Sequence, residues 1–313
     1  MSRVATHRVP TTAISSSELL QRWRLSANEA AFQLLQATVL VLVGWYTIDA
    51  SLDVMDAKAE RLSVLGYLFP EAAFTQHALF VSLQCVTAIA FALWMLPTIT
   101  QRGRVIFLLA PFAFLLMNSV AVETHYFTRH QTHFCAVAFL LLGIVRFTND
   151  RPGQPTRTLP QWAYFLLLYY ICVTYSYSGV AKIENSGIGW GNGSSLMFWV
   201  DRWAEDRDSL LFRMITGNVW IAMLMQNTAF LAELFCAAAL FIPRLRPVFG
   251  AVLIGFHCSI ELLFGLGFYA NIMLDAIILV GFWMLPDYQV TPRDFIRDLL
   301  ARGQPRDTTS TSM

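Results

Sequence analysis

Eight apolar runs, at about residues 30–48, 78–96, 105–122, 131–145, 161–181, 219–242, 247–264 and 269–285, constrain this chain more than any other feature. Most approach the roughly 20 residues that a helix needs to cross a bilayer, and those at 105–122, 131–145 and 269–285 are marginal. Lipid offers free backbone N–H and C=O groups no partner, so a spanning segment must be a helix or part of a closed barrel. The runs lack the short alternating pattern of barrel strands. With 56% hydrophobic and only 14% charged residues, against roughly a quarter charged in soluble domains, the chain reads as an all-α polytopic membrane helical bundle. About eight transmembrane helices are expected, embedded in a lipid bilayer.

Positive charge orients the bundle. Fifteen of the 22 Lys and Arg residues fall in the N-terminal stretch, the connections after spans two, four and six, and the C-terminal stretch. The other connections hold seven, four of them in the long connection 182–218. The positive-inside rule then places both termini in the cytoplasm, in an inner or plasma membrane if the chain is bacterial. Residues 1–28 read as a cytoplasmic tail, 29–286 as one membrane domain and 287–313 as a second cytoplasmic tail. The polar first 28 residues precede a full-length span rather than a short h-region, so no removable signal peptide is expected. A net charge of +1 gives no reason to expect nucleic acid. Cys85, Cys135, Cys172, Cys236 and Cys258 all lie in spans without a C-x-x-C pair and read as buried free thiols.

The linker 149–160 is rich in proline and polar residues and divides the spans into two groups of four. In the connection 182–218, four glycines around Trp190 must end the preceding helix. The following SLMFWVDRWAEDRDSLLFRM carries Leu196, Trp199, Trp203 and Leu210 at roughly helical intervals, with charges between. It reads as an amphipathic outer-face helix able to cap a cavity, or as an aromatic anchor at the interface. Asn192 opens a glycosylation sequon. The stretch 287–302 sets Phe295, Leu299 and Leu300 opposite Arg293, Arg297 and Asp298, which suits a short interfacial helix or an ordinary solvated tail.

Ionisable groups in or beside a span are costly, and each is a functional candidate whose partner must be found. Lys182 stands at the outer mouth of the fifth span, with Glu184 two residues on. It can snorkel to the interface, or, desolvated, serve as a base. In the seventh span His257 and Glu261 are four residues apart and share a helix face, and in the eighth Asn271 and Asp275 repeat that spacing. A lone intramembrane histidine can also simply bond a neighbouring helix; Glu261 beside it adds a second group to satisfy. The sixth span adds Gln226 and Asn227, which read first as interhelical glue, and Glu233 deeper in. Between the third and fourth spans, Glu123, His125, His130 and His133 form H-x4-H-x2-H, which matches no standard metal site, and no metal is expected. By topology, Lys182, His130, His257, Glu261, Asn271 and Asp275 converge on the outer half of the membrane, as a single outward polar cavity would require.

Two stretches, SGVAKIENSGIGWGNGSSL around Lys182 and FHCSIELLFGLGFYANIMLDAIIL from Phe256, together with the weaker TRHQTHFCAVAFLLL around His130, resemble the horizontally transferred transmembrane (HTTM) family. That family is related to the transmembrane domain of vitamin K-dependent gamma-carboxylases. The resemblance implies Lys182 as the base that deprotonates reduced vitamin K or another quinol, assisted by His257 and His130. Glu261, Asn271, Asp275 and Trp190 would contribute to the cofactor site. The implied chemistry is oxygenation of the quinol by O2 to a strong alkoxide base, removal of a carbon-bound proton from a glutamyl side chain, and addition of CO2, in a cavity dry enough to protect that base. Ala181 stands where the carboxylases tend to carry a second lysine, and the chain stops at residue 313 without their large C-terminal region, so propeptide-directed carboxylation is not expected. Two function classes follow: an enzyme acting on a secreted peptide or small molecule at the outer face, or a non-catalytic membrane factor for maturation, export or immunity of a secreted peptide. A transporter is disfavoured because no inverted repeat is visible.

Overall fold

A computed structural model describes residues 16–53, 77–95, 101–124, 130–151 and 154–302. Every apolar run among them is helical, as the backbone constraint demands. In chain order the α-helices are α1 (Ser16–Asp53), α2 (His77–Trp94), α3 (Ile106–Thr124), α4 (His130–Asn149), α5 (Gln161–Ser186), α6 (Ser194–Trp203), α7 (Leu210–Gly217), α8 (Val219–Phe235), α9 (Ala238–Phe241), α10 (Arg246–Phe264), α11 (Tyr269–Asp275) and α12 (Pro292–Arg302). Four described stretches are long and apolar enough to cross a bilayer: Leu20–Ile48, Thr132–Asn149, Gln161–Ser186 and Pro243–Phe264. Four shorter apolar helical stretches, Ser82–Trp94, Gly103–Met117, Val219–Phe235 and Tyr269–Met284, accompany them. The protein is an integral, multi-pass membrane protein.

The helices depart from the apolar runs in three places. The marginal fourth run belongs to a full-length helix, because α4 continues through Arg146 to Asn149. The sixth run, expected unbroken over 219–242, is interrupted after Phe235. There Ser176 on α5 accepts the Ala237 N–H at 2.9 Å, so a cross-helix hydroxyl enters the hydrogen-bond ladder while Cys236 and Ala237 keep right-handed helical backbone. The eighth run passes from α11 into a π-helical turn, Ala276–Gly281, immediately after Asp275. Among the cysteines, Cys135, Cys172 and Cys236 are buried as expected, whereas Cys85 lies exposed on α2.

A continuous aromatic core runs through α1 to α5. Trp94 meets Phe107 and Phe139 edge-on at 5.8 and 5.4 Å, and the Arg146 guanidinium lies over Trp94 and Phe107 at 4.5 and 4.0 Å while pairing with Asp150. At the same end of the bundle a buried arginine ties separate segments together. Arg246 donates to the Ala239, Tyr288 and Val290 carbonyls at 3.1, 2.8 and 2.5 Å, and the Tyr288 hydroxyl donates to Leu159 O at 2.8 Å. Residues 287–302 end in the helix expected there. Thr291 and Asp294 bond reciprocally at its start, and Phe295 stacks on Phe165 of α5 at 4.6 Å, while Leu300 stays exposed.

At the opposite end, the amphipathic stretch after Trp190 forms two helices where the sequence suggested one. Ala204 is extended, the Asp206 side chain accepts the Asp208 N–H, and Ser209 caps α7 by accepting from Phe212. These short polar side chains offer the backbone local turns that compete with helix. Val200, Ile215, Ala222 and Leu263 join α6 and α7 to α8 and α10, making a lid.

Replacing Arg246 by Met is expected to leave three buried carbonyls without donors, a loss on the order of 3 kcal/mol or more. It should read as a clearly lowered Tm in detergent, while Arg244→Met, at an exposed position two residues away, should leave the Tm nearly unchanged.

Candidate functional site

Lys182 lies in the last two turns of α5, where the helix reaches the glycine-rich turn. Its carboxylate partner is Glu233 of α8, not Glu184. Two residues along a helix are some 200° apart around its axis, and Glu184 is exposed on the far side. The pairing depends on close approach of α5 and α8. A Cβ on Gly179 would sit 2.6 Å from the backbone of Leu234, the neighbour of Glu233, so only glycine lets the helices come this near. The Lys182 ammonium donates to a Glu233 carboxylate oxygen and to Ser178 Oγ at 3.3 Å, and stands 5.9 Å from the centre of the Trp190 ring. Its side chain is 23% exposed and that of Glu233 5%.

Lys182 and Trp190 line a cavity of about 560 Å³ between the lid, α8 and α10. The walls are mainly apolar and aromatic, including Trp199, Phe230, Phe256 and Phe264, with Gln226, Ser195, Thr228 and Ser259 as sparse polar groups. Leu224 and Thr228 of α8 and Ala251 and Gly255 of α10 are cavity residues that are also exposed, so the cavity opens on the flank of the bundle between these two helices. The lid is fixed over it by amides. Gln226 accepts from the Leu196 N–H at 3.1 Å and donates to the Trp190 carbonyl, and Asn227 donates to Gly191 O at 2.7 Å. Gly193 joins turn to lid with φ +79°, and any side chain there would strike Met223. Further along, Glu205 N–H donates to Leu263 O at 2.9 Å. Gln226 and Asn227 thus hold the loop in place, as interhelical glue.

The other candidates gather elsewhere. Tyr175 of α5 donates its hydroxyl to Asp275 Oδ2 at 2.7 Å and accepts from Asn271 Nδ2 at 3.2 Å. His257 Nδ1 lies 3.7 Å from the same Asp275 oxygen, and its ring stacks on Phe268 at 5.1 Å and tilts against Tyr175 at 5.7 Å. His257, Asn271 and Asp275 are all buried. Glu261, expected to share His257's surroundings, turns instead to the α10–α11 connection, where it accepts from the Gly267 and Phe268 N–H groups and from Tyr269 OH at 2.6, 3.3 and 2.6 Å. The two meet only through Phe268.

The structure therefore divides the expected single cavity in two. Lys182 and Trp190 face the flank cavity, His257, Asn271 and Asp275 form an enclosed cluster, and Glu261 braces a loop. His130 opens α4, and its side chain lies outside the described residues, as do His125 and the side chain of Glu123. His133 is exposed.

Residues 67–283 match the HTTM domain, more than half of the chain. The chain belongs to the HTTM family. That family includes the gamma-carboxylase transmembrane domain. No curated protein and no solved structure matches this chain. The HTTM match contains Lys182, Glu233 and the whole enclosed cluster, whereas α1, which packs into the same core, precedes it.

Sequence reasoning missed Tyr175 and Ser178. Tyr175 and Ser178 lie seven and four residues before Lys182 and so fall on its helix face, a spacing that could have exposed them. The pairing of Lys182 with Glu233, 51 residues distant, has no local signature.

Breaking a buried pair strands a charge, at a cost of several kcal/mol, whereas replacing both partners by apolar groups is often neutral. Glu233→Leu and Lys182→Met should each lower the Tm, because each leaves one charge without its partner. The double variant should recover most of the loss; additive losses would show that the two side chains do not interact.

Proposed function

We propose that this HTTM protein is a quinol-dependent membrane enzyme related in chemistry to the gamma-carboxylases, with Lys182 as its base and the flank cavity as its cofactor site. The reading is of eight crossings with both termini cytoplasmic and the lid on the outer face, where a secreted peptide or a small molecule would be the substrate. The observation that carries it is an ammonium–carboxylate pair at the end of an apolar cavity that opens between two helices, toward where the bilayer would lie. A lipid-soluble quinol suits that cavity: apolar walls for its body, the Trp190 ring and the Lys182 amine for its polar head, and a volume within the range of small-molecule sites. Reduced vitamin K or another quinol would supply, with O2, the strong base needed to take a carbon-bound proton before CO2 adds.

The protein's own part is to hold and move a proton at Lys182 Nζ. Glu233 supplies the counter-charge that keeps the ammonium in so apolar a place, and Ser178 fixes the orientation of the amine. Passing the Lys182 proton to Glu233 would leave a neutral amine beside a neutral acid, both uncharged within the cavity. The lid and its amide anchors exclude water above the amine. His257 does not line the cavity and acts through the enclosed cluster that positions α5 against α10 and α11.

Arginine retains the charge of Lys182 but does not give up its proton. Lys182→Arg should fold, still quench its cavity tryptophans when a short-chain quinone is added, and lose turnover by about 10²-fold or more. His257→Ala should lower turnover less. Assays of quinol oxidation coupled to fixation of labelled bicarbonate into acid-stable product check both, and wild-type rates in both variants would remove Lys182 from catalysis.

A second reading, a non-catalytic factor for maturation, export or immunity of a secreted peptide, draws on the same ion pair: Lys182 is held by Glu233 and Ser178, as a structural lysine would be. In that case Lys182→Arg retains full function in cells.

A further inference from the structure

The enclosed cluster holds more polar capacity than its own side chains satisfy. Three of its atoms have no hydrogen-bond partner: His257 Nδ1, Asn271 Oδ1 and Asp275 Oδ1. Their side chains come from two helices and are at least nine-tenths buried, with residue exposures of 3%, 4% and 0%. Such atoms are costly to bury without a partner, and a group of three in one place points to a guest. The direct route is not taken. His257 Nδ1 and Asp275 Oδ2 are 3.7 Å apart, beyond the usual range of an N–H···O bond, and that oxygen already accepts from Tyr175. The Leu253 carbonyl one turn back along α10 lies beside the imidazole but outside hydrogen-bonding geometry for Nδ1.

The chemistry of the three atoms selects the guest. Asn271 Oδ1 can only accept, as does Asp275 Oδ1 while its carboxyl is ionised, whereas Nδ1 of a neutral imidazole can carry a proton and donate. What fits has two donors and at least one acceptor on a single small centre. Water has this inventory, and buried waters typically make about three hydrogen bonds to otherwise unpaired groups. A sodium or calcium ion would suit the two oxygens but would be set against a nitrogen, a poorer partner for a hard cation. The π-helical turn that follows Asp275 is a further sign of a site, since such turns interrupt helices where a side chain must be held out of regular register.

We propose that Tyr175, His257, Asn271 and Asp275 form an internal water site, in which one water donates to Asp275 Oδ1 and Asn271 Oδ1 and accepts from His257 Nδ1–H. The water links α10 to α11 and, through Tyr175, to α5, so His257 is a positioning residue whose partner is water rather than the ligand of the flank cavity. The site is separate from that cavity and does not depend on whether the protein is an enzyme.

Infrared difference spectra of the full chain in lipid, equilibrated in H2O and then in H2 18O, test this directly. The wild type should show an isotope-shifted O–H stretch of an isolated, strongly bonded water. The band should be lost in Asn271→Leu and in His257→Phe and kept in Ser259→Ala, a control on the cavity side of α10, with helical content compared by circular dichroism. Should the variants not fold, the wild type alone decides: a high-resolution cryo-EM map should show one density peak within hydrogen-bonding distance of all three atoms. Absence of the band and of the peak in the wild type, or a band unchanged in both variants, overturns the proposal. A peak at about 2.4 Å from the two oxygens, with a Tm that rises in sodium but not choline chloride, overturns it in favour of a cation.

Discussion

An ammonium and a carboxylate meet between α5 and α8 inside a largely apolar bundle, and much of the arrangement at this end follows from their need for each other. Either charge alone in so little solvent would be expensive. Together they require two helices to run close, which the missing side chain of Gly179 permits against Leu234. The same proximity lets Ser176 reach the Ala237 N–H and break α8 one turn beyond Glu233. Beyond the break the chain continues through α9 to Arg246, which gathers the far end of the bundle through three carbonyls. One polar contact at the cavity and one structural interruption below it are thus consequences of the same close packing.

The lid answers a different constraint. Gln226 and Asn227 lie seven and six residues, nearly two turns, before Glu233 on α8, and both use their amides on the backbone of the turn that follows α5 and the start of α6. Helix α8 therefore presents a carboxylate to the amine and amides to the loop covering it, so the amine and its cover are registered to one rigid element. A site built on a helix face is held more firmly than one carried by loops alone. The apolar contacts of Val200 and Ile215 with Ala222 and Leu263 complete the closure with no further polar groups.

Much of the fold was legible because lipid permits so few backbone solutions: the apolar runs gave the helices, including the short ones. What was not legible arose from contacts between helices. Spacing along one helix set Glu261 on the face of His257, but it is drawn off by the N–H groups of the α10–α11 connection, and Glu184, two residues after Lys182, is exposed away from it. The break after Phe235 has no proline or glycine to announce it, since its cause is a serine on another helix. The two-helix lid was closer to readable, because Asp206, Asp208 and Ser209 are residues that turn a chain. Lys182 stood out in the sequence by its position alone; its partner became visible only when α8 was laid beside α5.

Separation of the two polar groups alters what each can do. Lys182 shares its surroundings with Trp190 and a lateral opening, whereas the enclosed cluster does not line that cavity. His257 and Asp275 are buried, and the His257 ring packs against Phe268, Phe256 and Tyr175. Yet the two places are mechanically joined, because Tyr175 and Lys182 lie two turns apart on one face of α5, roughly 10 Å along its axis. A change that loosens Asp275 or Asn271 frees Tyr175 and shifts the helix that carries the amine. Substitution of His257 would therefore act on α5 through Asp275 and Tyr175 rather than on the walls of the flank cavity, which His257 does not line.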